Sequence, residues 1–471
     1  MITTLVTPLK SEILQCVSNT QAQTYRIIPI ARNADRLEVL VEQELFNLDL
    51  KCELELLLNL EILPQFASKA LISDLLARYY RRASTAKGRT LHVSTSRMDS
   101  FIEDLVKEAK DIGCSDIHLE ASEVKCRIRL RIDGHLIEKY EFQKDQYPSL
   151  INKIKVRANL DIAEKRMPQD GRIQYRHHGD AFDIRVSVLP TLNSEKVVLR
   201  ILHQDESRLD LEGLGLSNLQ LKLLVSKLKV PEGIILISGP TGSGKTTTLY
   251  SALKTLNSER VNICTVEDPI EYTIEGINQV QVREGIGLSF AEALRSFLRQ
   301  DPDIIMLGEI RDAETAQMAL RASLTGHKVL STIHTNSAVE TITRLLDMGV
   351  PGFLIASTLT LSIAQRLVRR LCENCKEVLD RADVKLVNND TLCGSHELYK
   401  ATGCEQCYMT GYKGRIAIYE VLGLDDRMKA AIRAGEGLYD VIPNDYKTLK
   451  IAAIDLLKKG ETSLEEVTAF L

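Results

Sequence analysis

The sequence has the size and composition of a folded protein with several domains. Its 471 residues are 44% hydrophobic and 26% charged, with a formal net charge of −4, which excludes a disordered chain and gives no general basic field for nucleic acid. No apolar run reaches the ~20 residues that span a bilayer, and the start lacks the pattern of a secretory leader. We therefore expect a cytoplasmic protein that meets a membrane only through a partner.

The first 206 residues predict two small α/β units joined by a linker. In residues 1–82, strands are expected at 25–30 and 37–41, on either side of a turn-like Asn-Ala-Asp, and a helix at 71–80. Residues 83–97, rich in Ser, Thr and Lys, predict a linker. The unit at 98–206 predicts a helix at 101–112, a hairpin turn at Asp133-Gly134, and strands at 117–119, 126–132, 183–188 and 196–202.

A phosphate-binding loop is predicted in the long α/β region that follows. An apolar run at 234–238 predicts a buried strand and 247–253 a helix, with the sequence G-x-x-x-x-G-K-[ST] between them. Backbone N–H groups and the helix N-terminus would hold the phosphates of ATP, Lys245 would reach the β- and γ-phosphates, and Thr246 would ligate Mg²⁺. The predicted nucleotide-binding residues are Gly239, Pro240, Thr241, Gly242, Ser243, Gly244, Lys245, Thr246 and Thr247.

Three polar side chains stand at the ends of further predicted strands in this region. Glu267 follows a strand at 261–266, Glu309 ends an apolar strand in the manner of a Walker B acid, and His334 ends a strand at 329–333. In open α/β sheets, ligands bind beyond the carboxyl ends of the strands, where an acid can position the attacking water or hold magnesium. Either acid could be the general base, with Glu267 favoured. His334 could contact the γ-phosphate and respond to its loss, but from spacing alone a single histidine is more often a structural hydrogen-bonding residue.

Two C-x₂-C pairs predict a zinc site. Four thiolates can close a tetrahedral coordination shell, and a shell filled by protein leaves no open position for chemistry, so the expected role is structural. A rival C-x₂-H pair, Cys393 and His396, could replace one of the two pairs. The favoured ligands are Cys372, Cys375, Cys404 and Cys407.

Taken together, these motifs resemble the type II/IV secretion system ATPase superfamily, closest to its type II secretion (GspE) and pilus-assembly (PilB) branches. The resemblance implies an α/β fold with a RecA-like core at 207–366, preceded by a PAS-like domain at 98–206. A zinc-binding module at 367–420 and a helical segment at 421–471 would follow. The segments that carry the resemblance are 239–247, 265–272, 298–312 and 325–336, with 114–120 and 166–172 in the preceding domain.

The resemblance also implies how such a chain works. It implies a homo-hexamer with ATP bound between subunits, in which a neighbour supplies Arg172, Arg185 and Arg200 to the phosphates. Residues 1–97 would dock on inner-membrane platform proteins, and no direct contact with nucleic acid is expected. The implied catalytic set is Lys245, Glu267, Glu309, His334 and the three arginines.

The expected function is therefore an ATPase motor for type II protein secretion. Pilus assembly is the alternative with the same chemistry, and the short amino-terminal region mildly favours secretion. A nucleic-acid motor with a RecA-like core and a scaffold that binds nucleotide without turnover are the alternatives from other classes.

Overall fold

A computed structural model describes most of the chain, and two compact units are distinguished in it. One comprises Met1–Ile173 with Arg185–Arg200, and the other Gln174–Ile184 with Ile201–Leu471. Within the described ranges, no helix is long and apolar enough to cross a membrane. Most of the predicted helix at 71–80 lies outside those ranges. The described residues are 16–17, 19–33, 36–42, 46–58, 60–69, 71–72, 75–76, 89–91, 98–177, 180–202, 210–379, 397–443 and 445–470.

The amino-terminal part of the first unit contains a three-stranded sheet of order β1-β2-β3. Strands β1 and β2 correspond to the two predicted strands and are antiparallel neighbours, with β1 beginning at Ile28 because the preceding helix extends to Tyr25, and β3 runs parallel to β2. Leu37, Val39 and Val41 of β2 are buried, and they form a core with apolar residues of the helices. The elements are α1 Asn19–Tyr25, β1 Ile28–Asn33, β2 Arg36–Glu42, α2 Leu48–Leu58 and β3 Glu61–Ala67.

A seven-stranded sheet of order β4-β7-β6-β5-β10-β9-β8 follows. Asp133 and Gly134 both have positive φ at the β6–β7 turn, 47° and 90°, as the predicted two-residue hairpin requires. Strand β4 lies within the predicted linker and pairs with β7, which covers an otherwise open sheet edge. The elements are β4 Arg89–Leu91, α3 Met98–Asp111, β5 Asp116–Ala121, β6 Cys126–Ile132, β7 His135–Phe142, α4 Tyr147–Arg157, β8 Gln169–His177, β9 Asp180–Pro190 and β10 Glu195–Leu202.

One face of this sheet is charged. Ile128 and Leu130 of β6 are buried, while the intervening arginines point to the opposite face. On β5 and β10, cross-strand pairing places further charged side chains beside those arginines. The carboxylate of Glu120 pairs with three cations at 2.7–3.1 Å. We call this surface the charged face; it includes Asp116, His118, Glu120, Arg127, Arg129, Arg131, Lys196 and Arg200.

The second unit contains a seven-stranded sheet of order β13-β12-β14-β15-β11-β16-β19. Its first six strands are parallel, and β19 pairs antiparallel with β16. Residues of β11, β12, β14 and β15 are buried throughout, as expected for parallel strands covered on both faces. This confirms the predicted α/β core. The strands are β11 Gly233–Ser238, β12 Ile263–Glu267, β13 Asn278–Gln281, β14 Ile304–Leu307, β15 Lys328–Ile333, β16 Leu359–Leu371 and β19 Tyr412–Gly423.

Helices connect these strands, and a small module interrupts the last pair. Strands β16 and β19 run across the boundaries predicted at 366/367 and 420/421, and between them β17 Glu377–Val378 pairs with β18 Tyr399–Lys400. The helices are α5 Asn218–Leu228, α6 Lys245–Leu256, α7 Phe290–Phe297, α8 Ala313–Leu324, α9 Ala338–Asp347, α10 Gly352–Thr358, α11 Asp426–Ala434, α12 Leu449–Lys458 and α13 Leu464–Thr468.

Candidate active site

The phosphate loop (residues 239–247) connects β11 to α6 and packs directly against β16. Gly239 and Gly244 adopt positive φ, 151° and 86°. A Cβ atom on Gly239 would lie 2.5 Å from the carbonyl oxygen of Gln365, and one on Gly244 would lie 2.8 Å from its side-chain nitrogen. Glycine is therefore required at both positions, for conformation and for space.

Lys245, the first residue of α6, holds its ammonium group over the phosphate loop. Its Nζ donates hydrogen bonds to the carbonyl oxygens of Gly239 (2.8 Å) and Pro240 (3.0 Å). Burial lowers the pKa of Lys245, and the nearby Arg366 lowers it further, while Glu309 acts in the opposite direction. Thr246, the predicted magnesium ligand, is exposed beside it. The loop thus presents a cation and a hydroxyl at the N-terminus of a helix, which is where anions bind.

Glu309 and His334, predicted separately, lie together. Glu309 follows β14 by two residues and His334 directly follows β15, and the adjacent ends of these strands bring His334 Nε2 to 3.2 Å from Glu309 Oε2. The other carboxylate oxygen of Glu309 accepts a hydrogen bond from Arg311 at 2.5 Å. Burial works to raise the pKa of Glu309, but Arg311 and His334 outweigh it and hold this pKa below its usual range. The acid is therefore ionised at neutral pH.

Glu267, at the end of β12, has a different environment. It is 3% exposed, and its carboxylate accepts hydrogen bonds from Thr265 (2.7 Å), Gln279 (3.0 Å) and the Tyr250 hydroxyl. Burial, together with the charge of Glu267, raises the pKa of Tyr250, so that this hydroxyl remains a donor. A carboxylate has about four acceptor positions, so three donors leave one free.

The three predicted phosphate-binding arginines belong to the first compact unit, whereas the phosphate loop belongs to the second. Arg172 on β8 is exposed and Arg185 on β9 is half-buried. Arg200 on β10 donates a hydrogen bond through Nε to Asp116 at 2.9 Å. In the single chain, Arg200 is thus engaged by an acid of its own unit.

Sequence reasoning missed two residues at the phosphate loop, Gln365 and Arg366 of β16. Gln365 is 2% exposed and accepts a hydrogen bond from Thr248 at 2.8 Å. Arg366 donates to the carbonyl oxygens of Gln365 and Asn336, each at 3.0 Å. The available signal was a polar pair within an otherwise apolar strand, since buried polar groups normally have a specific partner.

The four predicted zinc ligands form one cluster. Their sulfur atoms all lie within 4.8 Å of one another. Cys404 lies 3.8 Å from Cys372 and 3.7 Å from Cys407, and Cys375 lies 3.7 Å from Cys407. A tetrahedron with Zn–S bonds of about 2.3 Å has S–S edges of about 3.8 Å.

Hydrogen bonds around the cluster favour a thiolate at Cys404 and also reach the sulfur of Cys407. The Asn374 amide donates to Cys404 Sγ at 3.3 Å, and the Gly411 N–H donates to Cys407 Sγ at 3.2 Å. Burial acts to raise the pKa of Cys404, but the Asn374 amide, followed by hydrogen bonds with Cys407 and Cys375, lowers it to about 6, whereas burial raises the pKa of Cys372 and of Cys375. The donor set therefore fits zinc. The rival pair, Cys393 and His396, lies outside the described residues.

Comparisons with known proteins agree on one family. Residues 92–469 match the family described as Type II/IV secretion system protein. Type II secretion system protein E of Pseudomonas aeruginosa is 51% identical over 334 residues, which are 70% of this chain and 66% of that protein. The type IV pilus assembly ATPase PilB of Myxococcus xanthus is 39% identical, over 98% of this chain and 86% of its own. The match to the Pseudomonas protein leaves about a third of that protein uncovered.

Among solved structures, the pilus retraction motor PilT with bound ADP has a similar fold. Its TM-score is 0.53 with 28% identity, and the match covers 78% of this chain and 96% of that one.

Proposed function

This chain belongs to the type II/IV secretion system protein family and is an ATP hydrolase, and from this premise we propose that it powers protein export through a type II secretion system. It would work at the cytoplasmic face of the inner membrane, bound to platform proteins through residues 1–97. The observation that carries the enzymatic part is the meeting of Lys245, Glu309 and His334 at the carboxyl ends of β11, β14 and β15.

In the proposed reaction, the phosphate loop grips ATP through its backbone N–H groups. Lys245 exchanges the carbonyls of Gly239 and Pro240 for the β- and γ-phosphates. Thr246 and Glu309 would hold Mg²⁺, which supplies positive charge to the phosphates. His334, which contacts Glu309, would respond to the loss of the γ-phosphate.

We assign the two acids different roles. Glu309 is ionised and engaged by cations, which suits the surroundings of magnesium. Glu267 is the proposed base, because three donors hold its carboxylate in place and its remaining acceptor position would take the proton of the attacking water. Glu267→Gln should lower kcat and leave the affinity for MgATP unchanged, whereas Glu309→Gln should raise the Mg²⁺ concentration needed for half-maximal turnover. The opposite pattern would exchange the assignments.

The proposal includes a homo-hexamer in which Arg172, Arg185 and Arg200 act on the ATP of a neighbour. Arginines supplied in this way can be worth about 10³–10⁵ in rate. Arg200 would have to leave Asp116 to do so. Mixing inactive Lys245→Ala chains with inactive Arg200→Ala chains should restore activity, since some interfaces then have both residues. No recovery after subunit exchange would show that Arg200 acts within its own chain.

We also propose that Cys372, Cys375, Cys404 and Cys407 hold one structural zinc ion. The support is the tetrahedral spacing of their sulfur atoms and the N–H donors around them. Zinc would add directly to the folding free energy of the module. Metal analysis should find one zinc per chain, lost in Cys372→Ser; a full zinc content in that variant would exclude this ligand set.

Pilus assembly remains the second candidate, because the PilB relative matches 98% of this chain, including the amino-terminal region, against 70% for the Pseudomonas secretion protein. The tagged full-length chain should be used to capture membrane partners from the organism that encodes it. A secretion platform protein would support the first candidate, and a pilus platform protein the second. ATPase activity stimulated by DNA and by no membrane extract would contradict both.

A further inference from the structure

Gln365 and Arg366 have no role in the reaction proposed above, yet they lie between the phosphate loop and the segment that carries His334. They are consecutive residues of β16, which pairs with β11 so that Ala364 stands opposite Ser238, the last strand residue before the phosphate loop. Being adjacent in a strand, their side chains point in opposite directions. Gln365 can therefore support the loop while the next residue reaches Asn336, although one guanidinium nitrogen of Arg366 also lies 3.2 Å from where a Cβ atom on Gly239 would be.

Gln365 forms the surface on which the phosphate loop rests. Its side-chain oxygen accepts from Thr248 in the first turn of α6, and its side-chain nitrogen and carbonyl oxygen lie where Cβ atoms of Gly244 and Gly239 would be. Gln365 is almost fully buried, so it has little room to move. A change in the shape of the phosphate loop must therefore change its contacts with Gln365.

Arg366 connects that surface to the segment that carries His334. One guanidinium nitrogen donates to the Gln365 carbonyl, and the other donates to the carbonyl and side-chain oxygens of Asn336, at 3.0 and 3.4 Å. His334, two residues earlier, contacts Glu309. The segment 334–336 is thus held at one end by Glu309 and at the other by Arg366.

We propose that Gln365 and Arg366 act as one positioning unit, which ties the His334 segment to the phosphate loop and sets the contact between His334 and Glu309. Arg366 acts through Asn336 and His334, and it does not bind the nucleotide itself. The inference rests on the role proposed for His334 in turnover. It adds that His334 responds to the phosphate loop through β16, and not only through the γ-phosphate.

A double-mutant cycle on the full-length chain tests this coupling. Arg366→Met keeps the bulk of the side chain and removes all three hydrogen bonds. We expect Arg366→Met and His334→Ala each to lower kcat about tenfold or more, with KM for MgATP changed less than threefold. The double variant should be no more than about twofold slower than His334→Ala alone, because residues that act as a unit are not additive.

Two further variants distinguish a positioning role of Arg366 from an effect of its charge and from a folding defect. Arg366→Lys keeps the charge but loses the planar fork, so we expect it to be as slow as Arg366→Met. Arg369→Ala is the matched control, since Arg369 lies on the same strand and pairs with Glu466 at 2.6 Å, outside the site. Because Arg369 acts independently of His334, the fold-changes in kcat caused by Arg369→Ala and His334→Ala should multiply in the double variant. If Arg366→Met does not fold, Gln365→Leu is placed in the same cycle with the same expectation.

Several results would overturn the inference. Multiplicative effects of Arg366→Met and His334→Ala would mean that they act independently. A large rise in KM with kcat preserved, or full rescue by lysine, would mean that Arg366 attracts the nucleotide by its charge. If His334→Ala turned over normally while Lys245→Ala did not, the role of His334 would fail together with this inference, and the ATPase assignment would stand.

Discussion

The two seven-stranded sheets of this protein place their charged groups differently. In the sheet that begins with β4, charged side chains of β5, β6 and β10 share one face, and Glu120 alone has three cationic partners. In the four central strands of the ATPase sheet, charged residues occur only at strand ends, with Lys328 at the start of β15 and Glu267 at the end of β12. A charge on a shared face can be compensated by its neighbours, whereas a charge at the end of a buried strand has a fixed and small set of partners.

The largest effect is expected at the carboxyl end of the ATPase sheet. Lys245→Ala removes the only side-chain cation of the phosphate loop, so we expect phosphate release to fall by at least the ~10²–10³ typical of losing one transition-state donor. Thermal unfolding should change little, because Lys245 contacts only nearby carbonyls through its ammonium group. An unchanged rate would remove the ATPase assignment of this loop.

A smaller effect is expected at Glu267. Tyr250→Phe removes one of its three hydrogen-bond donors while keeping the ring, and it leaves a buried carboxylate short of a partner. We expect a loss of about 1–3 kcal/mol in the free energy of unfolding, measured by denaturant titration.

Tyr399→Phe serves as the control for this variant. Its hydroxyl contacts Glu397 at an exposed site, so the loss should stay within about 0.5 kcal/mol. Equal losses for the two variants would mean that losing a hydrogen bond at a buried strand end costs no more stability than losing one at the surface.

The smallest effect is expected on the charged face. Glu120→Gln should cost at most about 1 kcal/mol, because its partly exposed cations can turn to other acids or to water. Arg127, for example, also contacts Glu138 at 3.4 Å. A loss above about 2 kcal/mol would contradict the idea that charges on this face compensate one another.

The same variant has a defined pH dependence. Burial would raise the pKa of Glu120, but its cations, led by Arg129 and Lys196, hold it below the ordinary value of 4.5. Just below pH 4.5 the unfolded chain binds the proton more readily than the folded chain, so the contribution of Glu120 is present above pH 4.5 and is lost as the pH falls below that value. The stability difference between Glu120→Gln and the wild type should therefore shrink from pH 6 to pH 4, as denaturant titrations at both values would reveal.

Local sequence was sufficient for the features that depend on neighbouring residues. The buried strands β11 and β15 follow from continuous apolar runs, and the glycines and Lys245 follow from a motif of eight residues. Gln365 and Arg366 could not be predicted in this way, because their role arises only when β16 lies beside β11, more than a hundred residues earlier in the chain. The donors around Glu267 likewise come from separate elements, and β4 forms only because β7 offers an open edge. The catalytic roles of the site residues stay predictions.

The ladder between β16 and β19 extends from Leu361–Gly423 to Leu371–Tyr412, and the cysteine module grows from its far end. Antiparallel neighbours can be joined by a turn of two residues, so the chain could pass from one strand to the other without the module. The module is in this sense an insertion between two paired strands, anchored to the core by Leu398 and by the hydrogen bond from Lys376 to the Gly460 carbonyl at 3.3 Å. Its length could therefore vary without changing the strand order on which nucleotide binding depends.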